Sequence, residues 1–103
     1  MKVEKYARWL TNDDIIDITI ISEKNKIKKF ALNYRALIKS VWTEIYRVDN
    51  YHGFLHEQRF WRSAEPIRLD SDYYLPISII INKYIKIIMS NYQTYRELYE
   101  GKK

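Results

Sequence analysis

The chain has 103 residues, 47% of them hydrophobic, with three Trp, ten Tyr and three Phe; this composition excludes a disordered chain and supports one domain with a real core. It holds no cysteine, which excludes disulfides, thiol catalysis and Cys-type zinc sites. Eighteen Lys and Arg against thirteen Asp and Glu leave a net charge of +5, compatible with a nucleic-acid partner and equally with none.

Taken in chain order, Val3, Tyr6, Ala7 and Leu10 fall at i, i+3, i+4 and i+7, which predicts a short N-terminal helix. A strand through Tyr6 to Leu10 is the alternative. Thr11-Asn12-Asp13-Asp14 reads as a turn, because these side chains satisfy backbone groups locally. Ile15 to Ser22 is dense in β-branched residues, which suit a pleated strand. Glu23 to Lys26 is a hairpin turn with Asn25 as its left-handed residue. From Ile27 to Ile38 the chain alternates, with Phe30, Leu32, Tyr34, Ala36 and Ile38 on one parity. Lys39-Ser40 turns it again, and Val41 to Val48 places Trp42, Tyr46 and Val48 opposite Thr43 and Arg47. Phe54 to Arg62 reads as a fourth strand after an interruption at Asp49-Asn50 and Gly53, and Glu65 to Leu69 as extended or irregular, since the residue before Pro66 avoids the helical region.

The last third changes period. Ile77, Ile80, Ile81, Tyr84, Ile85, Ile88, Tyr92, Tyr95 and Tyr99 keep helical spacing for more than five turns. Pro76 suits the helix start, Gly101 its end, and Asp70-Ser71-Asp72 supplies cap candidates. A helix from Pro76 to Glu100 would be about 37 Å long. The expected architecture is a single α+β domain over 1–103, an antiparallel four-stranded β-meander packed on one long C-terminal helix. No apolar run approaches the ~18 residues of a membrane span and no signal-peptide core precedes the domain, so a cytoplasmic protein without a membrane partner is expected.

Both histidines fall in Tyr46-Arg47-Val48-Asp49-Asn50-Tyr51-His52-Gly53-Phe54-Leu55-His56. In a straight strand His52 and His56 would stand roughly 13 Å apart on one face; a bend at Gly53 would bring them within ~7 Å. Paired imidazoles suit metal-independent RNA cleavage, in which one ring takes the ribose 2′-hydroxyl proton and another protonates the leaving oxygen. Arg47 or Arg59 would stabilise the phosphorane and Asp49 would orient an imidazole. The plain alternative is hairpin chemistry with two structural histidines. A metal site from His52, His56 and Asp49 or Glu57 matches no strict spacing, and no cofactor is called for. Two glycines leave no phosphate-cradling loop, and no serine carries a nucleophile elbow.

A second basic and aromatic set, Arg35, Arg59, Trp61 and Arg62, has the composition of a nucleic-acid surface. With Lys29 and Arg47 it would place cations on the outer sheet face; Phe60 as core and Trp61 half-exposed on the outer sheet face is the plainer reading. The helix tyrosines read as core or as a dimer seam.

The segment from Arg47 to His56 has the form Arg-x-Asp-x-x-His-Gly-x-x-His and resembles a motif of small prokaryotic proteins similar in outline to the TumE-type toxins of toxin–antitoxin systems. The similarity extends to the hairpin before the motif and to the helix ending through Asn91 to Tyr95, about half the chain. It implies Arg47, Asp49, His52 and His56 as the functional set of a ribonuclease-like toxin, with RNA and an antitoxin as partners. The longer proline-containing insertion with consecutive histidines of TumE-type motifs is missing here. Two other readings stand beside it: a non-catalytic nucleic-acid-binding module, and a homodimeric adaptor that pairs through an edge strand or the tyrosine seam and binds another protein.

Overall fold

The computed structural model describes residues 1–72 and 74–102. Six strands, β1 (Lys2–Thr11), β2 (Asp14–Glu23), β3 (Lys26–Ile38), β4 (Val41–Asp49), β5 (His56–Arg59) and β6 (Ile67–Arg68), pair antiparallel with their neighbours in chain order. A 3₁₀ turn at Asp70–Asp72 leads into helix α1 (Ile77–Glu100). The class is α+β, as expected, but the sheet has six strands rather than four, and both additions are edges.

The N-terminal segment is a strand, not a helix. It pairs with β2 from Lys2↔Ser22 to Trp9↔Ile15, and none of its side chains is fully buried. The helical spacing of Val3, Tyr6, Ala7 and Leu10 therefore buries no face. What decides the conformation is β2, whose backbone groups would otherwise stand unpaired. Next to the opposite edge, β5 is shorter than the expected 54–62. Its pairing stops where Arg62 and Ser63 donate to the Arg59 carbonyl in a turn.

The hairpin turns follow the sequence. Lys24 and Asn25 have φ of 53° and 63°, and Lys39 and Ser40 have 50° and 66°. Two consecutive left-handed residues make the two-residue turn whose twist matches the strands it joins.

One sheet face and α1 enclose the core: Ile16 and Ile18 from β2, Phe30, Leu32, Tyr34 and Ala36 from β3, Ile45, Tyr46 and Val48 from β4, and Ile80, Ile81, Tyr84 and Ile88 from the helix. Register shifts within the β3–β4 pair between Tyr34↔Tyr46 and Arg35↔Glu44. The extra residue, Ile45, is buried, and the bulge moves Trp42 off the core parity that it would share with Tyr46 and Val48 in a regular strand. Trp42 pairs with Leu37 instead and lies on the outer face.

Polar ties fix the helix. Asp14, nearly buried on β2, accepts from Thr11 Oγ1, Tyr34 Oη and Arg96 Nη1, while Arg96 Nη2 reaches the Leu37 carbonyl at 2.9 Å. Asp72 does not cap α1, whose first turn has no side-chain cap; it binds Lys83 Nζ at 2.6 Å and the Tyr84 hydroxyl. Those two bonds hold its carboxyl below the usual carboxylate range. Among the described residues no helix is long and apolar enough to cross a membrane.

Candidate functional site

β4 ends on Asp49 and β5 begins on His56, and the two are paired directly across the ladder. Strand alternation puts Arg47, Asp49 and His56 on the outer sheet face, together with Ala31, Asn33 and Arg35 of β3 and Arg68 of β6. No helix covers that face here, yet Asp49 is 2% and His56 3% exposed. Their cover is polar and local.

Asp49 is the hub. Its Oδ2 accepts from Arg47 Nε at 2.7 Å, and its Oδ1 accepts the Tyr51 amide at 3.0 Å and lies 3.2 Å from His56 Nε2. The other nitrogen of His56, Nδ1, is 3.3 Å from the Phe54 carbonyl. Both ring nitrogens thus face oxygen atoms of the protein. The link between β4 and β5 then folds back. Gly53 has φ of 84°, a left-handed conformation that favours glycine, and its bend lays the exposed His52 ring on His56 with centroids 5.6 Å apart and planes at 26°. Phe54 also lies against the His56 ring, with centroids 5.1 Å apart and planes tilted by 48°, and Arg68 stacks over Phe54 at 4.7 Å. Asn50 ties the loop to β3, its Oδ1 accepting the Phe30 amide and its Nδ2 donating to the Lys28 carbonyl.

All four residues of the motif therefore meet, with unequal access. His52 is exposed, the Arg47 side chain is 26% exposed, and Asp49 and His56 are sealed. The bend at Gly53 decides the histidine separation in favour of the close pair. Among the described residues no three His, Asp or Glu side chains converge where a metal ion could sit.

The second set does not gather. Arg35 lies on the outer face, bound to Asp17 through Nε and Nη2 and stacked on Trp42 at 5.5 Å. Its hydrogen bond to Asp17 raises the Arg35 guanidinium above its ordinary range. Arg59 pairs with Tyr46 on the helix side of the sheet and is held by Glu57 at 2.8 Å, which likewise raises it. Trp61 is not on the outer face. It stacks on Tyr95 at 4.8 Å and on Tyr46 at 6.4 Å against the core. Arg62 is exposed in the turn after β5.

Two residues outside the motif belong to the same face. Arg68 pairs with His56 across β5–β6, and its place depends on a two-residue strand that no period announces. Asn33 sits opposite Arg47 on β3, and its Oδ1 is enclosed without a hydrogen-bond partner. Only its parity with Lys29, Ala31 and Arg35 could have pointed to it. Under the loop, a cavity of about 320 Å³ is lined by Phe30, Phe54, Leu55, Ile77, Ile80 and Lys28, among others.

The family model for the domain of unknown function DUF7718 matches residues 1–103. The chain belongs to this family. No curated protein and no solved structure matches it. The polar hub at Asp49 lies within the matched residues and is read below from its own chemistry.

Proposed function

We propose that this protein is an RNA-directed, toxin-like ribonuclease whose reacting group is His52. The observation that carries this reading is the exposed imidazole stacked on a sealed, Asp49-bound His56, with the Arg47 guanidinium fixed by the same carboxylate. In this reading His52 takes the proton of a ribose 2′-hydroxyl, and the 2′-oxygen attacks phosphorus. The P–O5′ bond breaks, and the leaving 5′-oxygen takes a proton from water. Arg47 and Arg68 offset the charge that develops on the phosphoryl oxygens. His56 is a positioning residue, because both of its nitrogens are engaged within the protein.

The test is cleavage of single-stranded RNA by the purified protein and by His52→Ala and Arg47→Ala. His52→Ala should lower the rate about 100-fold or more with unchanged thermal melting, since the ring is exposed. No cleavage by the wild type, or full activity in His52→Ala, would overturn the assignment. One observation favours a second reading. With both nitrogens of His56 occupied only one imidazole is free, which suits a non-catalytic RNA-binding face built on Lys29, Arg35, Arg47 and Arg68. That face would bind RNA without cutting it, with an affinity falling by a log–log slope of about −0.7 per phosphate contact as salt rises.

A further inference from the structure

The two edges of the sheet are unequal. β6 has two residues, whereas β1 presents a ten-residue strand whose far side pairs with nothing among the described residues. Unpaired edges invite another strand, and proteins that stay monomeric usually blunt them with charge, bulges or brevity. Here the charges alternate in sign along one face, Glu4 then Arg8, with Tyr6 between them. Arg8 makes no ion pair within the chain among the described residues, while Glu4 is bound only locally, by Lys2 and by the Tyr6 hydroxyl.

We infer that β1 pairs antiparallel with β1 of a second copy of this chain about a two-fold axis at Tyr6. An antiparallel pair keeps the sum of opposed residue numbers constant. Centred on Tyr6, Glu4 faces Arg8 of the second copy twice, Tyr6 faces Tyr6, and on the other face Val3 meets Trp9 twice while Lys5 lies beside Ala7. Val3, Tyr6 and Trp9 are all half or more exposed in the single chain. A centre one residue earlier sets Lys5 against Lys5 and Lys2 against Arg8, which repel. A centre one residue later sets Glu4 against Leu10 and leaves both charges without partners. The register at Tyr6 uses only residues 3 to 9, all before the irregularity that follows Trp9. The helix does not obstruct it, since α1 packs on β3 and β4. This pairing also accounts for a ten-residue strand that buries no side chain of its own. It is independent of the chemistry assigned to His52.

Sedimentation equilibrium of the full chain over a range of concentration tests the register by charge reversal. The wild type should dimerise. Glu4→Arg and Arg8→Glu should each weaken the dimer about tenfold or more, because two attractive cross-strand pairs become two repulsive ones. The double variant carrying both reversals should recover it, since opposite charges face each other again. A wild type that stays monomeric, single variants that dimerise unchanged, or a double variant that does not recover would each overturn the proposal. An isotope-filtered NOE between Val3 of one copy and Trp9 of the other reads the same register in the unmutated protein, and its absence in a dimer would overturn it too.

Discussion

The outer sheet face is buried in two places without a helix, by opposite means. At one end Trp9 and Trp42 meet edge to face at 5.8 Å, although they stand on β1 and β4, and Ile15 between them is 4% exposed. Arg35 stacks on Trp42 and is held by Asp17. At the other end Asp49 and His56 are as deeply buried, under a cover of Arg47, His52, Phe54 and Arg68. Sheet coiling brings the tryptophans together across two intervening strands; the loop bend at Gly53 folds the second cover. An apolar cover is additive, so each ring contributes its own contact. A polar cover is interlocked where its members share an acceptor: without the Asp49 carboxylate, Arg47, His56 and the Tyr51 amide all lose their partner at once, whereas the exposed His52 ring only stacks on His56.

The sharpest way to break this contrast is to remove the hub. Asp49→Ala strips the acceptor from Arg47, from His56 and from the Tyr51 amide together. Breaking a buried pair by deleting one partner costs about 3 kcal/mol or more. The urea midpoint should fall accordingly, and the His52–His56 stack should loosen, seen as loss of line-shape uniformity at both rings by NMR. A loss below about 1 kcal/mol would mean that the polar cover is no more interlocked than the aromatic one.

How far the sequence anticipates this face depends on which interaction fixes each element. β3 was legible because Phe30, Leu32, Tyr34 and Ala36 alternate and all are buried. Helix α1 was legible because nine apolar positions keep one period. β1 stayed open between a helix and the strand through Tyr6 to Leu10 that the structure bears out, because a strand exposed on both faces has no burial to impose period two, and its apolar residues happened to fall at helical spacing. β6 is fixed by its partner β5 rather than by composition. Trp42 changed sides through a bulge that no residue type between Val41 and Val48 announces. In the site, the residue set was legible from local crowding, while access was not. That His56 is sealed and His52 exposed follows from the cross-strand pairing of His56 with Asp49, a long-range fact.

A second expectation separates the helix-covered face from the outer one. Burial pushes the phenols of Tyr46, Tyr34 and Tyr84 well above the ordinary value of 10.0, and hydrogen bonds to Asp14 and Asp72 add to the rise at Tyr34 and Tyr84. A folded-state value above the unfolded one gives stability that is complete below pH 10 and is lost as pH climbs beyond it, because only the unfolded chain can release those protons. The loss should approach about 1.4 kcal/mol per pH unit for each such phenol. Tyr46→Phe should flatten the alkaline limb of a stability–pH curve by one such increment. An unchanged limb would assign the alkaline loss to groups outside the core. All three phenols lie on the helix side of the sheet, so the alkaline transition should start there.

The smallest effect belongs to the aromatic end. Trp9 is 60% exposed even with its contact to Trp42, so its truncation opens no closed cavity. Trp9→Ala in the monomer should cost about 1 kcal/mol, the range of an edge-to-face pair together with partial burial, and should raise the exposure of Ile15 and Trp42 without disturbing Asp49 or His56. Fluorescence of Trp42 in that variant reads the local change, and denaturation at a concentration too low for chain pairing reads the energy. A cost as large as that of Asp49→Ala would show that the tryptophans hold the coil of the whole sheet. The two covers would then be parts of one structure, joined through the strands between Ile15 and Ala31.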